Sequence, residues 1–126
     1  MYKYDIENVF AKILRKEISC QKVYEDDYCL SFHDIAPLAP VHVLCIPKLQ
    51  VVNFDAFINV ATPQFFHYFF NGLSNTIKIL ELQSGYRLIS NSGANAMQTV
   101  EHFHIHILGG EFLGGLLPET YKEHTN

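Results

Sequence analysis

The sequence has 126 residues, the size of one compact domain, and 48% of them are apolar, enough for an ordinary hydrophobic core. A formal charge of −4 argues against the binding of long nucleic acid, which relies on a basic excess to neutralise phosphates. Cys20, Cys29 and Cys45 show no CxxC spacing, the start of the chain lacks a signal-peptide apolar core, and no apolar run reaches the ~18 residues of a membrane span. The expectation is a single cytoplasmic domain over 1–126 with reduced thiols and no membrane association.

In chain order, Asp5 or Asn8 can cap a short helix whose apolar stripe is Val9, Phe10, Ile13 and Leu14. Glu25-Asp26-Asp27 reads as a turn between strands Gln21–Tyr24 and Cys29–His33. Pro37 and Pro40 mark a loop, and His42–Ile46 a buried strand stopping at Pro47. Thr62-Pro63 is a cap followed by proline at the first position of the longest helix, which runs to about Leu82. Ser84-Gly85 breaks it. Tyr86–Ser90 is a strand, Asn91–Thr99 a polar loop and Val100–Leu108 a last strand, while the tail, 111–126, carries no assignable pattern. Five strands with two helices grouped apart indicate an α+β fold on an antiparallel sheet.

The long helix carries more apolar surface than one sheet requires. Phe65, Phe66, Phe69, Phe70, Leu73, Ile77 and Leu80 exceed the ~100° stripe of a helix packed on one side. Tyr68 and Ile79 widen the arc, which only Gly72 and Thr76 interrupt, and such an excess fits a two-fold partner surface.

The chemistry sits in Glu101-His102-Phe103-His104-Ile105-His106-Ile107-Leu108. Alternation predicts three imidazoles on one face of a strand, roughly 6.6 Å apart, and the apolar residues on the other. Lysine or threonine would serve equally well on a merely solvated face. Zinc is a second reading, because two His at alternate positions can ligate it, but three in a row converge poorly on one ion. The third is catalysis at a phosphate. A neutral imidazole attacks phosphorus without a separate base, and protonated neighbours can hold phosphoryl oxygens or supply a leaving group.

His-φ-His-φ-His-φ-φ, with φ apolar, is matched throughout His102–Leu108. Further matches are 9–18, Glu25-Asp26-Asp27, Phe32-His33-Asp34-Ile35, Ala39-Pro40, His42-Val43-Leu44, Ile46-Pro47-Lys48, Gly85-Tyr86-Arg87, Asn91, Gly93, Gln98 and Val100. On these residues the chain resembles the histidine triad (HIT) family. Phe32–Ile35 and Gly109-Gly110 resemble its Hint branch, the nucleotide-binding purine nucleoside phosphoramidases, rather than the dinucleoside polyphosphate hydrolases. His106 stands where nucleotidyltransferase relatives carry Gln.

The resemblance implies hydrolysis of adenosine or guanosine 5′-monophosphoramidates through a nucleotidyl-histidine, without cofactor or metal, in a homodimer with a shared ten-stranded sheet. It makes His104 the nucleophile, His106 and His102 phosphate contacts and proton carriers, and His42 their supporting histidine. Asp34 would bind the ribose hydroxyls, and Val9, Phe10, Ile13, Phe32 and Ile35 would hold the purine. Asn91, Gln98 and Thr99 would meet the phosphate and leaving group. Taken singly, each of these has an ordinary structural explanation, and His67 and His124 match nothing. Two departures stand out: Ala96-Met97 replaces a common Gly-Gly, where any positive φ would cost ~1–2 kcal/mol, and Ser19 replaces a common proline.

Overall fold

A computed structural model of the chain describes residues 3–117. Asn8 opens α1 (Val9–Leu14) by accepting the Ala11 amide, so of the two expected caps it is the one used. Strands β1 (Lys22–Glu25) and β2 (Cys29–His33) form a hairpin whose turn is tied by the Asp26 carboxylate, which accepts the Tyr28 and Cys29 amides. β3 (Val41–Pro47) includes the proline expected to stop it, at its terminal pair with Cys29.

A helix absent from the sequence reading follows: α2 (Phe54–Val60), capped by the Asn53 side chain on the Ala56 amide. Then come α3 (Pro63–Leu80), capped by Thr62, β4 (Tyr86–Ile89), a 3-10 turn at Ala94–Ala96 and β5 (Ile105–Gly109). The tail is described only to Leu117; His124 lies outside the described residues. Within the described residues no helix is long and apolar enough to cross a membrane.

All strand pairs are antiparallel, in the order β1-β2-β3-β5-β4, which makes the fold α+β with a five-stranded sheet. Alternation divides the sheet into two faces. Cys29, Val43, Cys45, Ile105 and Ile107 form one core with Phe57, Phe69, Leu73 and Phe103. Leu30, Phe32, Leu44 and Ile46 form a smaller one with Phe10 and Ile13 of α1.

Gly72 and Thr76, which seem from sequence to interrupt the apolar arc of α3, lie where the helix packs against β2. Both are buried; Thr76 Oγ1 donates to the Gly72 carbonyl and shares a 2.7 Å hydrogen bond with Ser31 Oγ. A Cβ at position 72 would come within 2.4 Å of Cys29 Sγ. Tyr68 stacks on Tyr28, with centroids 4.9 Å apart, beside the β1–β2 hairpin. The last strand is also shorter than alternation suggests. It begins at Ile105, because the preceding residues bond elsewhere: the Phe103 amide donates to the Val51 carbonyl and the His102 ring to that of Pro47.

Candidate active site

A cavity of about 350 Å3 opens between α1 and the second face of the sheet. Val9, Phe10 and Ile13 line it from α1, Phe32 and Asp34 from the end of β2, and His104 and His106 from β5 and the residue before it. Thr99 lies at its margin and Ile35, fully exposed, at its rim. Phe10 stands edge-on to the His104 ring with centroids 5.0 Å apart, joining the apolar slot to the imidazoles.

Besides His42, which stands behind His106, three expected residues lie outside the cavity lining. His102 has no exposed surface and does not line the cavity, since the strand that would have aligned it with His104 starts later. Gln98 turns away: its amide nitrogen donates to the Val52 and Val100 carbonyls and its oxygen accepts the Gly93 amide, so it shapes the loop rather than facing the slot. Asn91 follows β4, half-buried and outside the lining. Of the two loop departures, Met97 alone takes a left-handed conformation, at φ 56°.

Fixed backbone groups determine where the histidine protons reside. The His102 carbonyl lies 2.6 Å from His104 Nδ1; a carbonyl only accepts, so Nδ1 is protonated and the Nε2 lone pair remains available. The Leu38 amide donates to His42 Nδ1 at 3.1 Å, which puts the His42 proton on Nε2. That proton is given to His106 Nδ1 at 2.9 Å, leaving His106 with its own proton on Nε2. Two neighbouring rings thus present opposite functions, a lone pair from His104 and an N–H from His106.

The same directions weigh against a metal. Among the described residues, Asp34, His42 and His106 bring ligand atoms within 4.8 Å of one another. His42 Nε2 could ligate only with its proton moved to Nδ1, where it would face the Leu38 N–H, donor against donor.

Burial pushes all four imidazoles below the ordinary histidine range. His102 and His106 fall to about 4, through burial first; the neighbouring rings add to the fall. His42 and His104 are lowered by burial, partly offset by Asp34 and, for His104, by its bond to the His102 carbonyl. In the free protein near pH 7 all four are therefore neutral, in contrast to the protonated neighbours expected from sequence. Asp34 Oδ1 accepts the Ala36 amide, while Oδ2 lies 3.4 Å from His42 Nε2.

The family model for the HIT domain matches residues 15–113. The chain belongs to the HIT family. It is 44% identical over 115 residues to an uncharacterized HIT-like protein of Rickettsia prowazekii, covering 90% of this chain and 96% of the relative. Among solved structures, a HIT family hydrolase from Clostridium thermocellum superposes with a TM-score of 0.77 at 35% identity, covering 89% of this chain and 97% of that one. A histidine triad nucleotide-binding protein from Candida albicans gives a TM-score of 0.72 at 26% identity, with coverage of 94% and 93%.

The cavity has further walls that sequence reasoning missed. Ser19, Cys20 and Gln21 from the segment before β1 line it, as does His33. Their signal was weak, since nothing in an irregular segment shows which side faces a ligand. Tyr4 was also missed: its hydroxyl lies 2.6 Å from His102 Nδ1, and 98 residues separate the pair.

Proposed function

We propose that this HIT protein is a purine nucleoside phosphoramidase of the Hint branch, a hydrolase that releases AMP or GMP and an amine. The observation that carries the reading is the His104 tautomer: a buried ring with its proton held on Nδ1, its Nε2 lone pair free, and its edge on an apolar slot. A cavity of this volume suits a nucleoside-sized ligand. Val9, Phe10, Ile13, Phe32 and Ile35 would hold the purine. Asp34 Oδ2 would accept from the ribose, and Thr99 would contact the phosphate side.

In the first step His104 Nε2 bonds to the α-phosphorus and the P–N bond breaks toward nitrogen. The departing amine takes its proton from solvent, while neutral His106, its Nδ1 occupied by the His42 N–H, holds a phosphoryl oxygen through Nε2–H. In the second step water bonds to phosphorus and the P–Nε2 bond breaks. The water's proton passes to solvent, replacing the one the amine took, so both histidines end as they began. His42 holds His106 in the required tautomer, and His102 acts behind the site rather than on the phosphate.

Purified protein should hydrolyse an adenosine 5′-phosphoramidate in EDTA, faster than it cleaves a dinucleoside polyphosphate. No turnover in EDTA would sink the metal-free mechanism, and a preference for the dinucleotide would move the protein to that related branch.

A homodimer belongs to the same reading. Among the described residues the outer edge of β4 is unpaired, and on the helix-bearing face Tyr86 and Leu88 are exposed. α3 lies over β1, β2 and β3, leaving the β5–β4 side less covered, and Phe70 is exposed on the flank away from Tyr68. A second copy across a two-fold axis would cover this surface and continue the sheet to ten strands. Light scattering should give twice the 14.5 kDa chain mass; a monodisperse monomer would refute the shared sheet.

A further inference from the structure

The ring of His102 is closed off from solvent, yet each nitrogen has a partner. Nε2–H donates to the Pro47 carbonyl at 3.0 Å, so Nδ1 must accept, and the Tyr4 hydroxyl donates to it at 2.6 Å. The Tyr4 ring stands edge-on to the imidazole, with centroids 5.6 Å apart. Tyr4 reaches this position on a tethered segment: the Arg15 guanidinium donates to the Ile6 carbonyl at 2.6 Å, and the Asn8 side chain donates to the Asp5 carbonyl at 2.7 Å.

The consequence reaches His104 through the backbone. Residue 102 lies ahead of β5, outside its ladder, and its carbonyl holds the Nδ1 proton of His104. Whatever fixes the His102 ring therefore helps fix the acceptor that selects the His104 tautomer. We propose that Tyr4 is a positioning residue for His104, clamping the His102 ring against Pro47 so that the His102 carbonyl stays in place. The inference rests on the reading of His104 as nucleophile for its effect on turnover, but not for its effect on ring protonation.

Tyr4→Phe keeps the ring and removes the hydroxyl. Side-chain 15N spectra of histidine-labelled protein, recorded without substrate, report which nitrogen of each ring is protonated. Wild type should show His102 protonated on Nε2 and His104 on Nδ1. In Tyr4→Phe the His102 Nδ1 signal should move toward a free lone pair and His104 should become a tautomer mixture. A displaced reacting group is costly, so kcat on the phosphoramidate should fall about tenfold. KM should stay within about twofold, because the slot and Asp34 are untouched.

Gly72→Val, on the opposite face of the sheet, lowers stability without touching Tyr4 or His102. A merely structural role predicts that both variants lose kcat in proportion to their loss of Tm. Positioning predicts that Tyr4→Phe alone alters kcat and the His104 spectrum. Unchanged His104 signals with kcat within twofold of wild type in Tyr4→Phe, or a matching loss in Gly72→Val, would overturn the proposal. So would wild-type His102 protonated on Nδ1, which needs no variant to observe. Wild-type protein inactive on phosphoramidates would instead remove the functional reading and leave the spectra to decide Tyr4.

Discussion

On one face of the sheet Val43, Cys45, Ile105 and Ile107 lie under α2 and α3 against Phe57, Phe69 and Phe103, and every one of these side chains is buried. The other face carries intervening residues of the same strands, His42, Leu44 and His106, and there Leu44 packs with Phe10 and Ile13 of α1, a helix of six residues against the eighteen of α3. Beside the short helix a cavity of about 350 Å3 stays open, while the residues named under the long one are buried. The difference teaches how one strand can serve two ends: Ile105 and Ile107 anchor β5 in the apolar core, and that anchoring holds His106 to its register beside His42. Mutations on the two faces should therefore fail in different ways.

The largest separation is expected from His104→Asn. Turnover should fall by about a thousandfold or more, since asparagine offers no nucleophilic ring nitrogen in place of His104 Nε2, while AMP affinity stays within a few-fold. Steady-state kinetics and calorimetry on one preparation would check both halves; retention of a tenth of the wild-type rate would break the division.

Gly72→Val tests the opposite face. Its side chain must displace Cys29 Sγ or lift α3 from Ser31, and overpacking of this kind costs about 2–3 kcal/mol. Urea unfolding should show that loss, with kcat of the folded fraction close to wild type. A fully stable variant with impaired turnover would reverse the assignment.

The gentlest test is acid. All four histidines have folded pKa values below 6.5, with His102 and His106 near 4, so between those limits the unfolded chain binds more protons than the folded one. Stability should be flat in this respect above pH 6.5 and decline as pH falls toward 4. The acid limb of kcat/KM should likewise lie below pH 6.5. Unfolding and rate profiles over pH 4–8 would test this; stability rising as pH falls through 6 would contradict the neutral cluster.

The sequence displayed the helix-bearing face well, and the reason is periodicity. α3 and β2 have long or strongly apolar patterns, and Thr62-Pro63 marks the start of α3. α2 escaped because seven residues barely complete two turns, although Asn53 ahead of Phe54, Phe57 and Ile58 is a cap before an apolar stripe. The cavity face was legible as far as its slot, since Val9, Phe10, Ile13, Phe32 and Asp34 do converge. What alternation could not disclose was His102, whose ring is claimed by Pro47 and Tyr4, or Gln98, whose amide is claimed by Val52 and Val100. Those partners are distant in sequence or are backbone groups, and neither leaves a local pattern.

The uncharged histidine cluster has a consequence for how a ligand arrives. Among the described residues no lysine or arginine lines the cavity, His104 and His106 are neutral near pH 7, and the chain as a whole carries −4. An approaching phosphate ester therefore meets no attractive field to guide it, and Asp34 if anything repels it. Encounter is left to unassisted diffusion, which salt can only ease by screening the repulsion, and selection occurs after contact, through the fit of an apolar ring and the direction of single N–H groups.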